Sequence, residues 1–135
     1  MSEALESPRL ALWNAWKGPM GELLGPNNVS MDMSSTVAKT PYARITIMGN
    51  PVYDSDLENN ECAVNISVQC ESFTSGQKAM SKAFDIDAAS HAVMVGLGFR
   101  RNFGPELIEN EDTNIKRVVS RYSMVYAGSF LAATE

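Results

Sequence analysis

CAVNISVQCESF, residues 62–73, contains the clearest pattern in this sequence. Its apolar residues Val64, Ile66, Val68 and Cys70 alternate with polar residues, the period of two that is typical of a strand with one buried face. We therefore predict a half-buried β-strand, with these four side chains against a core.

Similar patterns on both sides of this strand predict the rest of the domain. Residues 42–48 and 118–126 alternate in the same way and predict two more strands. Residues 77–97 carry an apolar stripe of helical period, and glycines at its end precede a short strand at 99–103. An acidic loop is predicted at 106–114. The order is therefore strand, strand, helix, strand, loop, strand.

The N-terminal part of the chain is less regular. Ser7 and Pro8 are suited to the start of a helix, which we expect to end at Gly18–Pro19. Frequent glycine, proline and serine residues predict an irregular segment over 18–40 that wraps the domain. Between the first two strands, the polar residues 52–61 predict an exposed hairpin arm.

Together these elements predict an α+β fold in one domain. Its mostly antiparallel sheet would have about four strands packed by one long helix, with a short N-terminal helix and an extended hairpin arm. A chain of 135 residues fits one domain of this kind. We expect residues 1–40 to form the helix and wrap, 41–127 the sheet-and-helix core, and 128–135 a C-terminal tail.

Composition narrows the classes of function. The chain is 44% hydrophobic and 20% charged, as in ordinary globular proteins. Its net charge of −5 argues against broad or sequence-specific nucleic-acid binding, which depends on many Lys and Arg side chains. No stretch approaches the roughly 18 apolar residues of a membrane span, so we expect no membrane association.

Candidate groups for catalysis or metal binding are few. Cys62 and Cys70 would lie about 26 Å apart on an extended strand, too far for a disulfide, and we expect free thiols. With His91 the only histidine, we expect neither a metal site nor a cofactor. Ser90, His91 and Asp87 could suggest a hydrolytic triad, but a hydrogen bond between His91 and Asp87 on the helix surface is the preferred interpretation. We predict that the protein is not an enzyme.

Charged residues of opposite sign are separated along the chain. The basic group lies in or beside the two C-terminal strands and comprises Arg100, Arg101, Lys116, Arg117 and Arg121. The acidic residues cluster at 54–61 and at 106–112, and those of the hairpin arm are Asp54, Asp56, Glu58 and Glu61. Such separation suits head-to-tail contacts between copies of the chain. A mixed solvated surface is the alternative.

Four segments carry a resemblance to a known family. They are PYARITI at 41–47, VNISVQC at 64–70, GLGFRR at 96–101 and RYSMVY at 121–126. In their order and spacing they resemble tail-terminator and tail-completion proteins of tailed bacteriophages. The resemblance covers roughly residues 40–127.

This resemblance implies a structural role in a virion. It implies a homohexameric ring, assembled in the host cytoplasm, that caps the tail tube, stops polymerisation of the tube protein and offers a surface to head–tail connector proteins. DNA could pass through such a ring. Within it, the acidic arm would contact the tube or line the channel. Another neck or minor tail protein, for head closure or tail-to-head joining, is the main alternative, followed by a small enzyme or ligand-binding domain.

Overall fold

A computed structural model describes residues 8–31, 40–49, 52–56, 61–109 and 113–127. It contains helix α1 (Pro8–Leu24), strands β1 (Val29–Met31), β2 (Tyr42–Gly49), β3 (Val52–Asp56) and β4 (Glu61–Ser75), helix α2 (Ala79–Gly96), and strands β5 (Arg100–Ile108) and β6 (Ile115–Ala127). A single 3₁₀ turn, Pro26–Asn28, joins α1 to β1. The predicted α+β class is confirmed.

One sheet contains all six described strands. Its order is β1-β2-β4-β6-β5, and every pairing is antiparallel except that of β1 with β2. The long strand β4 is central, because β6 pairs with it from Ala63 to Ser75. Both β2 and β3 pair with β4 and so follow its other edge. The predicted hairpin is thus formed by β3 and the first residues of β4, and its tip at 57–60 lies outside the described residues.

The core lies between the two helices and one face of the sheet. Its apolar side chains come from both helices and from β2, β4 and β6: Leu12, Trp16, Met20, Ala43, Ile45, Ile66, Val68, Cys70, Ile86, Met94 and Tyr122. The alternation predicted for β4 is confirmed by the burial of Ile66, Val68 and Cys70, whereas the side chain of Val64 lies outside those that the structure describes. Cys70 is a free, buried thiol, and burial raises its pKa to about 12.

The predicted end of the first helix was wrong. Helix α1 continues through Gly18 and Pro19 to Leu24. Proline at position 19 removes one backbone hydrogen bond, but Leu12, Trp16 and Met20 follow one another at four-residue spacing and are all buried. Packing of this stripe outweighs the local cost of the proline. Part of the predicted irregular segment is therefore helix, and another part is β1.

The sequence also underestimated the strands. It predicted about four, whereas six are present in the described residues, since β1 is only three residues long and β3 was counted as part of the arm. The predicted acidic loop at 106–114 begins too early, because β5 extends to Ile108. Residues 110–112 of that loop lie outside the described residues.

Gly104 permits a close approach between β5 and β6, and we expect its replacement to be costly. It has φ +87°, and an added Cβ would collide with the carbonyl oxygen of Val119 and lie 2.9 Å from Cα of Ser120. We expect Gly104→Ala to lower the free energy of unfolding by about 2–4 kcal/mol, measured by urea denaturation. Gly96→Ala is the control, because no atom lies within 4 Å of its added Cβ. Its effect should stay within about 1 kcal/mol, and equal losses for the two variants would contradict the β5–β6 geometry.

Candidate functional site

Both helices cover the same face of the sheet. Trp16 of α1 donates a hydrogen bond to Ser90 of α2 at 3.0 Å. On α2, Asp87 accepts one from Ser120 of β6 at 2.7 Å, and the pair His91–Tyr122 stacks at 5.8 Å. Side chains that alternate with Ser120 and Tyr122 therefore point to the opposite side, which we call the helix-free face. This face carries most of the polar side chains of the sheet.

A three-residue ionic cluster lies on the helix-free face. Arg44 of β2 donates from Nε to Oε1 of Glu71 at 2.7 Å and from Nη2 to Oε2 at 3.1 Å. Arg117 of β6 donates from Nε to Oε2 of the same carboxylate at 2.8 Å. The Glu71 side chain is 0% exposed, against 9% for Arg44 and 22% for Arg117. One central carboxylate thus connects three neighbouring strands.

The two arginines keep Glu71 ionised. Burial by itself would raise the pKa of Glu71, but the hydrogen bonds and charges of Arg44 and Arg117 outweigh it and hold the pKa below its usual value. A carboxylate with both oxygens bound in this way is a structural group, because little of it is left for a substrate. The half-buried strand predicted from the alternation was therefore wrong around Gln69 and Glu71, where both faces of β4 are covered.

Farther along the same face, Arg121 is held in one orientation but exposed. Its Nε donates to Oε1 of Gln69 at 2.9 Å, and its guanidinium lies 5.0 Å from the ring centre of Phe103. Contacts of this kind restrict an arginine side chain while leaving the outer part of the guanidinium accessible. The accessible guanidinium of Arg121 can therefore donate hydrogen bonds to an acidic or amide group.

Around Arg121 the helix-free face is open and concave. Two hydrogen bonds organise it, from Asn102 to Ser123 at 2.9 Å and from Asn65 to Ser67 at 3.4 Å. We call this region the open face and define it by six residues: Met48, Asn65, Ser67, Asn102, Arg121 and Ser123. Met48 is 52% exposed, and Val125, which pairs with Asn65 beside it, is 50% exposed. Methionine and arginine are both enriched in protein interfaces, and this face carries an exposed side chain of each kind.

The helix-covered face has its own polar cluster. Asp87 accepts hydrogen bonds from Ser120 and, at 3.4 Å, from Arg101. Burial raises the pKa of Asp87, against the opposing effects of the Ser120 hydrogen bond and the Arg101 charge. Arg101, predicted to lie at an interface with the other basic residues, therefore makes an ion pair within the subunit.

The hydrogen bond predicted between His91 and Asp87 was wrong. The side chain of His91 instead forms a hydrogen bond with the Tyr122 hydroxyl at 3.1 Å. Ser90 accepts from Trp16, and Ser120 is the serine bound to Asp87. Both serines are fully buried, so a substrate cannot reach either hydroxyl in this conformation. These groups join α2 to the sheet and to α1.

The remaining predicted site residues lie at different points along the sheet. In β3 and β4, Asp56 pairs with Glu61 and Asp54 with Ala63, whereas Glu58 lies outside the described residues. Lys116 and Arg117 pair with Thr74 and Phe73, near the other end of β4. At about 3.4 Å per residue, these two groups are roughly 40 Å apart. Arg100 pairs with Ser123, beside the open face, and is exposed.

The fold thus brings together only part of the predicted basic group, and it adds residues that sequence reasoning missed. Arg44, Gln69 and Glu71 were not among the predicted site residues. Their signal was the occurrence of opposite charges and amides at alternating positions of two predicted strands. To recognise this signal, one would need to know the register of β2 and β6 against β4, and that register depends on the three-dimensional fold.

Across the described residues, no group of three His, Cys, Asp or Glu side chains is arranged to hold a metal ion. Neither described helix combines the length and apolar character needed to cross a bilayer.

Comparison with known proteins identifies the fold. No protein-family model matches the sequence, and no curated protein matches it. Among solved structures, the chain is similar to a chain of the virion of a native gene transfer agent (GTA) particle, with a TM-score of 0.57 and 13% identity. The alignment covers 89% of this chain and 94% of the other. At this identity the match shows a shared fold along nearly the whole of both chains.

Proposed function

We propose that this protein is a structural component of a virion, and specifically a tail terminator. The observation that carries the proposal is the fold shared with a chain of the GTA virion over nearly the full length of both. The sequence resemblance to tail-terminator and tail-completion proteins of phages supports the same role. In the described residues, the buried ionisable side chains Glu71 and Asp87 are occupied by contacts within the subunit.

In this role, copies of the chain form a homohexameric ring at the end of the tail tube. The ring binds the tube protein, stops its polymerisation and presents its other side to the head–tail connector proteins, while DNA passes through the centre. The long hairpin of β3 and β4 and the exposed polar face of the sheet supply surfaces for such contacts. A closed ring suits a terminator, because it satisfies every subunit contact and stops growth of an open fibre.

Tail length provides the direct test. We expect particles assembled without this protein to show overlong tubes in negative-stain electron micrographs, and addition of the purified protein should restore a uniform length. As a control, the variant Lys82→Glu, which is changed at an exposed position of α2, is added in the same way. Tails of normal length that lack heads would instead identify a tail-to-head joining protein. Normal tails joined to heads would contradict both roles.

Ring formation is tested separately. Sedimentation velocity or native mass spectrometry should detect a hexamer, either at high protein concentration or after addition of the tube protein. A monomer under both conditions would contradict the ring.

A further inference from the structure

We infer that the open face binds the acidic hairpin of a second copy of this chain. This inference rests on the proposed function, since it assigns the surfaces that hold neighbouring subunits of the ring together. The hairpin consists of β3 and the first residues of β4, with Asp54, Asp56, Glu58 and Glu61 in its sequence.

The open face has the chemistry of a carboxylate-binding surface. Arg121 is held by Gln69 and Phe103 with its guanidinium exposed, so little side-chain entropy remains to be lost on binding. Arg100 adds a second positive charge beside Ser123. Amide and hydroxyl groups of Asn65, Asn102 and Ser67 surround them, and such groups complete the hydrogen bonding of a bound carboxylate.

Two acidic residues with described side chains lie on the helix-free face, Glu71 and Glu106, and neither is next to Ser123. Glu106 is exposed and pairs with Val119, four residues or about 14 Å along β6 from Ser123. Glu71 is buried, and its two carboxylate oxygens accept hydrogen bonds from Arg44 and Arg117. The exposed charge around Ser123 is therefore positive. It stands on a chain whose net charge is −5, and the hairpin sequence carries four acidic residues, as does the segment 106–112.

The hairpin of the same subunit cannot supply the partner carboxylates. Arg121 pairs with Gln69, whereas the acidic residues of the described hairpin pair at or near Glu61. Along β4 this separation is roughly 27 Å for Asp56 and Glu61, and roughly 20 Å for Asp54, which pairs with Ala63, at about 3.4 Å per residue. It exceeds the reach of the side chains and the Debye length of about 8 Å at physiological salt. Neutralisation of both surfaces therefore requires another molecule.

The character of the face favours a protein partner over a nucleic acid. Half-exposed Met48 and Val125 flank the polar centre, and methionine and arginine are both enriched in protein interfaces. Binding to a phosphate backbone would require many basic groups in a row, and the acidic chain as a whole repels such a ligand.

The position of the two surfaces makes the contact head-to-tail. Hairpin and open face are different patches displaced along one strand, so each subunit can use both at once with two neighbours. Contacts of this type close into a ring when the rotation between subunits allows it. Pairing through the outer strand β5 is less suitable, because Pro105 has no N–H and irregularities at Phe103 and Glu106 interrupt its ladder.

Complementary charge reversal tests this contact with the full-length chain. One variant, Arg100→Glu/Arg121→Glu, alters the open face, and the other, Asp54→Lys/Asp56→Lys, alters the hairpin. We expect each variant alone to show a dissociation constant for self-association at least about tenfold higher than the unchanged protein, by sedimentation velocity. An equimolar mixture of the two should associate again, because acidic hairpins then meet arginine faces and lysine hairpins meet glutamate faces.

Matched controls separate this effect from loss of folding. Lys82→Glu and Asp85→Lys change the charge in the same two directions, by half as much, at exposed positions of α2 and should leave association unchanged. Circular dichroism and thermal unfolding report whether each variant is folded. Ser67→Asp supplies a second test of the open face with a single small side-chain change. It should also weaken association, since it adds a negative charge beside Arg121.

Several outcomes would overturn the inference. One is that neither double variant weakens association. Another is that the two variants do not associate when mixed. A third is that the unchanged protein remains monomeric at every concentration and with tube protein. Binding of a short DNA duplex that is lost in Arg100→Glu/Arg121→Glu, with self-association intact, would assign the face to a polyanion. Tail length in electron micrographs is a separate measurement, so a terminator with different subunit contacts can be distinguished from a protein that is no terminator.

Discussion

Replacement of Ile66 by aspartate should unfold the protein. Ile66 is 0% exposed and belongs to the core between the sheet and both helices. The change removes a large apolar side chain and buries a carboxylate in an apolar environment. The expected loss exceeds about 5 kcal/mol, which is comparable with the whole stability of a domain of this size. Far-UV circular dichroism and urea denaturation at pH 7 would measure it.

The neighbouring substitution Ser67→Asp is the matched control. Ser67 lies on the opposite side of the same strand, on the open face, and is only partly buried. A carboxylate there keeps contact with water, so we expect the free energy of unfolding to change by about 1 kcal/mol or less. If Ile66→Asp and Ser67→Asp lower the free energy of unfolding by similar amounts, the assignment of these two side chains to opposite faces of β4 is wrong.

Replacement of Glu71 by leucine is expected to have the second-largest effect. The guanidinium of Arg44 would remain buried without the opposite charge of the carboxylate, and Arg117 would lose the same partner. Removal of one member of a buried ion pair costs about 3–5 kcal/mol, and we expect a loss in this range from urea denaturation. Because this cluster joins three strands, we expect the whole domain to lose stability.

A double variant separates the ionic effect from simple loss of packing. In Arg44→Leu/Glu71→Leu the buried positive charge is removed together with the negative one, and apolar pairs often replace buried ion pairs without loss. We therefore expect the double variant to be more stable than Glu71→Leu alone. If it is less stable by the sum of both single losses, the two side chains do not interact as the structure shows.

The same cluster predicts an acid-dependent part of the stability. The pKa of Glu71 is lowered in the folded protein from an ordinary value of 4.5, so folding favours the ionised form. Its contribution is complete above pH 4.5 and is lost as the pH falls through the lower folded-state pKa. Glu71→Gln should therefore show a smaller decrease in stability between neutral and acidic pH than the unchanged protein. Identical pH profiles would contradict this role.

Local patterns predicted the parts of the fold that depend on one element at a time. The period of two in residues 64–70 placed Ile66, Val68 and Cys70 in the core, and the helical stripe predicted α2 within two residues at each end. These predictions succeeded because periodicity and burial are properties of a single segment. The end of α1 failed because the packing of Trp16 and Met20 outweighs Gly18 and Pro19.

The candidate site was predicted only in part. The separation of basic from acidic segments in the sequence grouped Arg100 and Arg121 with Arg101 as candidate interface residues. The structure places Arg101 against Asp87 on the helix-covered face. It also brings Gln69, Glu71 and Arg44 into the same polar face. A shift of one residue between strands would have exchanged the two faces, and a single sequence does not reveal that register.

The amino-acid order by itself determined the class of the fold, the strand whose apolar face enters the core and the separation of acidic from basic segments, because each depends on neighbours within a short stretch of chain. Only the tertiary structure decided which charged side chains neutralise one another inside the subunit and which stay exposed. Glu71 became internal because β2 and β6 bring arginines to it, whereas Arg121 contacts a neutral amide and an aromatic ring and retains its charge at the surface. Such pairings depend on strand register, which joins residues far apart in the chain.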